Sequence, residues 1–199
     1  MRGRYKCLQI KLLCCLVFLC LQISPCAADD FRGYQVNLEV DPPKPVIKAL
    51  IRQLEICDRA PVSERLHSFF KSIPIFLIPN GPGTVGRYWN GRITLRMRPF
   101  PDKPILLHEM LHAVHNQLVP NGVNNQDISN FYLKARDAFT QIDPDDSEDY
   151  FLKNDREFFA VTASIYLFGD IARPPYSMRN IEQSVPGYAA YLQNLFAQL

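Results

Sequence analysis

The stretch Ile105-Leu106-Leu107-His108-Glu109-Met110-Leu111-His112-Ala113-Val114-His115 constrains the fold more than any other part of the chain. It is mostly apolar, yet it holds three of the chain's four histidines and a glutamate. Pro104 suits a first helical position, where a missing N–H costs nothing. On a helix, His108 and His112 stack one turn apart on one face, so their nitrogens can meet a single metal ion. Glu109 follows directly, within reach of a water that such an ion activates. The alternative is a pair of core histidines satisfied by ordinary hydrogen bonds, but two imidazoles and a carboxylate on one buried helix need costly partners.

Zinc held by two histidines takes a third protein ligand and keeps a position open for water. A glycine and a third histidine at metzincin spacing are absent between Val114 and Val119. His115 lies a further turn along the same face, where one helix does not easily wrap a third imidazole round a tetrahedral ion. It is therefore expected behind the ligands or in solvent. The acidic run Asp143, Asp145, Asp146, Glu148 and Asp149 is broken by Pro144 and Ser147 and reads as a solvated loop. Glu157 opens the segment EFFAVTASIYLF, apolar nearly all round and so expected as a buried helix. Ala160, Val161 and Ser164 give that helix a face of modest bulk for close approach to another. Asn154 and Glu157 also fit a capping box. On the residues alone, ligand and cap both stand.

The chain of 199 residues is 47% hydrophobic and 21% charged, close to the globular average, and its length suits one domain. A disordered tail, a collagen-like repeat and a multi-pass membrane protein are excluded on that basis. Its net charge of +2 comes from 22 basic and 20 acidic residues. Arg2, Arg4, Lys6 and Lys11 fall in residues 1–28, which contain no acid, so 29–199 carry 18 bases against 20 acids. That near-neutral body gives no electrostatic case for nucleic acid.

Met1–Lys11 is basic, Leu12–Ile23 is an apolar run, and Cys26-Ala27-Ala28 supplies small residues at a cleavage site. This is the layout of a secretory signal peptide, and the run is too short for a bilayer span of about 20 residues. A secreted or periplasmic protein without a membrane span is expected once residues 1–28 are removed. Five of the six cysteines go with them. Cys57 remains and is expected as a small buried residue on a helix.

The rest reads as a small mixed sheet followed by helices. Tyr34–Val40 alternates as a strand, Pro45–Arg59 shows helical spacing, and Ser63–Ser72 reads as a helix capped by Ser63. Ile75–Ile78 reads as a buried strand. Asn90-Gly91 marks a hairpin whose return strand, Arg92–Arg98, is expected as a sheet edge. Its arginines guard that edge against aggregation, or select acidic peptides added to it. Trp89 at the hairpin tip either lines a cleft or packs. Tyr132 and Tyr166 are expected to pack.

HEMLH followed by the later Glu157-Phe158-Phe159-Ala160 resembles the lethal-factor type of gluzincin metallopeptidase, which includes the anthrax toxin lethal factor catalytic domain and the secreted Pro-Pro endopeptidases. The resemblance covers roughly residues 75–169. It implies an α+β, zincin-like fold with one zinc ion held by His108, His112 and Glu157, and with Glu109 as general base. It also implies that Tyr150, seven residues before Glu157, stabilises the oxyanion. Arg156 stands where the Pro-Pro endopeptidases favour an acidic residue, so Pro-Pro specificity is not carried over. The expected organisation is a signal peptide over 1–28 and a single catalytic domain over 29–199. That domain would have a sheet-containing lobe to about residue 119 and a helical lobe over 120–199. The expected function is a secreted zinc-dependent endopeptidase acting on a peptide or protein substrate. The alternative is a zinc-stabilised secreted binding module without turnover; retention of Glu109 argues against it, because a structural site needs ligands but no base.

Overall fold

A computed structural model describes residues 29–98, 103–142, 150–173 and 176–199. Residues 1–28 and the acidic run 143–149 lie outside the described residues. Strands β1 (Asp29–Phe31) and β2 (Tyr34–Leu38) form a hairpin through Arg32 and Gly33, both at positive φ. Helices α1 (Lys44–Asp58) and α2 (Glu64–Ser72) carry the chain to β3 (Ile75–Ile78), which lies parallel to β2 with Val36 opposite Ile75. Parallel neighbours need a crossover of this kind. Helix α1 buries Val46, Leu50, Leu54 and Cys57 at helical spacing, and the side chain of Ser63 caps α2 by accepting from the Leu66 N–H.

Strands β4 (Gly86–Trp89) and β5 (Arg92–Arg96) form the second hairpin, and Asn90 and Gly91 both take positive φ as its tight turn requires. The sheet order is β1-β2-β3-β5-β4. This corrects the expectation for Arg92–Arg98: β5 is interior, and the edge is β4. Ile75 and Leu77 of β3 stand opposite Ile93 and Leu95 of β5, all four buried, so joining the two strands completes one apolar face. The arginines of this segment do not guard an edge. Arg98 donates to the Asn80 side chain at 3.1 Å and to the Gly81 carbonyl at 2.8 Å, pinning the Gly/Pro loop, while the Arg92 guanidinium lies over the Phe76 ring.

Helix α3 (Ile105–Gln117) follows, with no side-chain cap of its own at Pro104. Buried Gln53 of α1 takes that role. Its Oε1 accepts the Leu106 N–H at 3.0 Å and its Nε2 donates to the Lys103 carbonyl at 2.9 Å. An otherwise orphaned first-turn donor is thereby satisfied, and the entry of α3 is fixed on α1. Helices α4 (Gln126–Ile142), α5 (Asp155–Phe168), α6 (Met178–Ser184) and α7 (Tyr188–Gln198) complete the chain, with a 3-10 turn at Tyr150–Leu152 before α5. Helix α5 is buried nearly all round and packs against α3 and α4. Tyr132 packs beside Phe158 and donates to the Leu152 carbonyl, and Tyr166 stacks on Phe196. Among the described residues no helix is long and apolar enough to cross a membrane.

Candidate metal centre

Because α3 and α5 are apolar on most sides, each buries against the other, and their polar side chains are driven to a common point. His108 and His112, one turn apart on α3, bring their Nε2 atoms to 3.1 Å from each other. Glu157, in the first turn of α5, places Oε2 3.3 Å from the first and 3.4 Å from the second. Ligands about 2.0–2.1 Å from a tetrahedral zinc ion lie about 3.3 Å from one another, so the three atoms already have the spacing of such a set. Burial lowers His108 to about 4, which leaves its ring neutral near pH 7 and its lone pair available. Burial would raise Glu157, but hydrogen bonding to His108 and His112 outweighs it and holds the carboxylate well below its usual range. Two imidazoles and an ionised carboxylate converging in a largely buried spot form a donor set that suits a borderline-soft dication.

The cap and ligand readings of Glu157 turn out to be compatible. Asn154 caps α5 by accepting the Glu157 N–H at 3.0 Å. The Glu157 carboxylate does not reach back to complete a capping box; it turns to the histidines.

Glu109 is buried beside this cluster, and its Oε2 accepts the Tyr88 backbone N–H at 2.7 Å. Burial raises Glu109 to about 7, against the lowering influence of His112 and of that amide. Strand β4 therefore meets α3 through the carboxylate itself. The contact is close because residue 86 is glycine: a Cβ there would lie 2.9 Å from Glu109 Cγ and Oε1 and 3.1 Å from Ile105 Cγ2. The Tyr88 hydroxyl fastens the other end of the strand, accepting from Gln117 Nε2 at 2.8 Å. Gly86, Tyr88 and Arg87 were not singled out from the sequence. Gly86 carried a weak signal, a glycine opening an aromatic strand, whereas a backbone amide has no residue-type signature. Arg173, also missed, lowers His108 and Glu109 through its charge.

His115 is 1% exposed, with its ring 4.8 Å from that of Phe159. The solvated reading is overturned, because α5 covers this face of α3. Neither ring nitrogen has a hydrogen-bond partner among the described residues, and burial lowers the imidazole to about 4. Tyr150 opens the 3-10 turn ahead of α5; its side chain lies outside the described residues.

An open cleft of about 600 Å³ lies over these groups, lined by Glu109, His112 and Glu157, by β4, and by the start of α5. Trp89, 62% exposed, stands on its rim with the Arg87 guanidinium over its ring.

No protein-family model matches the chain, and no curated protein matches it by sequence. Among solved structures it is similar to that of the PRO-PRO endopeptidase PPEP-2 from Paenibacillus alvei. The TM-score is 0.57 and the identity 20%, over 83% of this chain and 98% of that one. At that identity the likeness shows the fold. The expected α+β, zincin-like class is borne out.

Proposed function

We propose that the chain is a secreted zinc-dependent endopeptidase, with residues 29–199 forming one catalytic domain. The observation that carries this reading is the convergence of His108, His112 and Glu157 next to buried Glu109 on the floor of an open cleft. The fold likeness to a structure described as a Pro-Pro endopeptidase supports it. Export rests on the basic and apolar layout of residues 1–28.

His108, His112 and Glu157 would hold one zinc ion. Zinc bound there supplies a Lewis acid that polarises the scissile carbonyl and makes water acidic enough to be activated near neutral pH. Glu109 is the general base and then the general acid. It takes a proton from the attacking water and returns it to the leaving amine, and burial, which raises its carboxyl, favours both directions near neutrality. The Tyr88 amide holds the carboxylate in place while it waits. Tyr150 is assigned to the developing oxyanion, a contribution worth about 10²–10³ in turnover for a donor of this kind. The free edge of β4 offers backbone groups to an extended substrate.

The test is a diverse peptide library with cut sites read by mass spectrometry, run beside Glu109→Gln and chelator-treated protein. Cuts by the parent that are lost on chelation and fall at least about 10²-fold in Glu109→Gln are expected. A Glu109→Gln protein as active as the parent would refute the assignment. Bound zinc without any cut would favour the binding-module alternative.

A further inference from the structure

The charge on the cleft wall differs from that on its floor. Arg87 of β4, Lys153 and Arg156 line the cleft, all exposed, and none forms an ion pair with a carboxylate among the described residues. Among the described residues, the carboxylates lining it are Glu109 and Glu157. Both face inward, one bonded to the Tyr88 amide and the other set against His108 and His112. Asp155, which precedes Arg156, accepts from the Ser129 hydroxyl at 2.7 Å. Lys153 and Arg156 flank the N-terminus of α5, whose first turn already holds Asp155 and Glu157. The cation–π contact with Trp89 steadies Arg87 at the rim. Buried His115 also borders the cleft, with neither ring nitrogen hydrogen-bonded among the described residues. Exposed cations without an ion pair on two sides of the cleft call for an anion, and zinc on the floor would only strengthen that demand.

We infer that the cleft selects peptides bearing an Asp or Glu side chain close to the scissile bond, held by Arg156 and Lys153 with Arg87 opposite. Resting on the endopeptidase reading, this names the substrate class of the same site. A guanidinium with its planar fork and an ammonium at a helix start suit a carboxylate far better than an amide of the same shape. Among the described residues the cleft has no counterpart for a basic side chain, because Glu109 and Glu157 are already engaged.

The experiment uses matched fluorescent peptides, drawn from a sequence that the zinc-loaded protein cuts, that carry Glu, Gln or Lys at each position flanking the cut. Binding is measured on the Glu109→Gln protein and hydrolysis on the parent. The Glu peptide is expected to exceed the Gln peptide by about tenfold in kcat/KM, mostly through KM, with the advantage shrinking as salt rises. Arg156→Glu combined with Lys153→Glu should invert the preference toward Lys peptides, with zinc content and Tm checked so that misfolding is not mistaken for lost recognition. Equal cutting of Glu and Gln peptides overturns acidic selection and leaves the endopeptidase reading intact. If the library yields no cut, the same variants are applied to random peptides and only binding is measured. Preferential binding of Glu peptides without any cut then supports the selection and overturns turnover. Binding with no charge preference overturns the selection, as does a preference that the double substitution leaves unchanged. No binding and no cut overturn both.

Discussion

Glu157 performs two tasks through different atoms: its N–H receives the Asn154 cap while its carboxylate faces His108 and His112. The spacing Asn154–Glu157 made the cap visible in the sequence, and the apolar surroundings suggested that the carboxylate would need a cation. Neither pattern said that the N–H could be capped while the carboxylate faced the histidines. His115 shows the opposite. Its place on α3 was readable, but the ring that covers it, Phe159, comes from a helix far along the chain. The buried imidazole has a measurable consequence. Its pKa falls from 6.5 in the unfolded chain to about 4 when folded, so acid protonates the unfolded form first. Stability is fully present above the unfolded value and is lost as pH falls from about 6.5 toward 4, by at most about 3 kcal/mol from this group. His115→Phe, which keeps a ring against Phe159, should flatten that limb in urea titrations of metal-free protein between pH 7 and 4. His108 titrates in the same direction in both proteins, so the difference in slope is the readout. Identical slopes would remove His115 as a source of acid sensitivity.

At the scale of elements, the start of α5 sets the position of the proposed ligand. Asn154→Ala removes a cap of about 1 kcal/mol and loosens the first turn that carries Glu157. Zinc affinity measured by competition with a chelator should therefore weaken more than in Ser177→Ala, which removes an equivalent cap from α6, remote in sequence from the ligands. Equal losses would mean that the cap acts only on global stability. Elements with local signals were legible in the sequence: the helical spacing of α1, the Ser63 cap, the Asn90-Gly91 turn and the HEMLH helix. The sheet order was not. Alternation in Arg92–Arg96 fixes which side chains are buried, but an edge strand and an interior strand can share that pattern. What decides between them is the pairing of β3 with β5, a contact between segments separated by a loop and a whole strand. The same limit hid the Tyr88–Glu109 bond, which joins a backbone amide to a side chain on another element.

For the molecule as a whole, the core runs through both the sheet and the helices and does not depend on His108, His112 and Glu157. Metal removal is thus expected to leave far-UV circular dichroism unchanged while abolishing cleavage. Zinc at a hundredfold excess over its Kd should add about 2.7 kcal/mol, seen as a Tm that rises with zinc concentration. Unfolding on chelation would instead mark a structural ion. The exposed indole at the cleft rim adds a convenience of a different kind. Trp89 is the only tryptophan in the chain, so the protein has a single indole fluorophore, located at the mouth of the cleft with none in the core to mask it. The free protein should emit at the long wavelengths of a solvated indole, and a peptide that covers the rim should shift the emission to the blue. Occupancy of the cleft could then be followed optically and without a label, including in Glu109→Gln protein, where nothing is consumed during the titration.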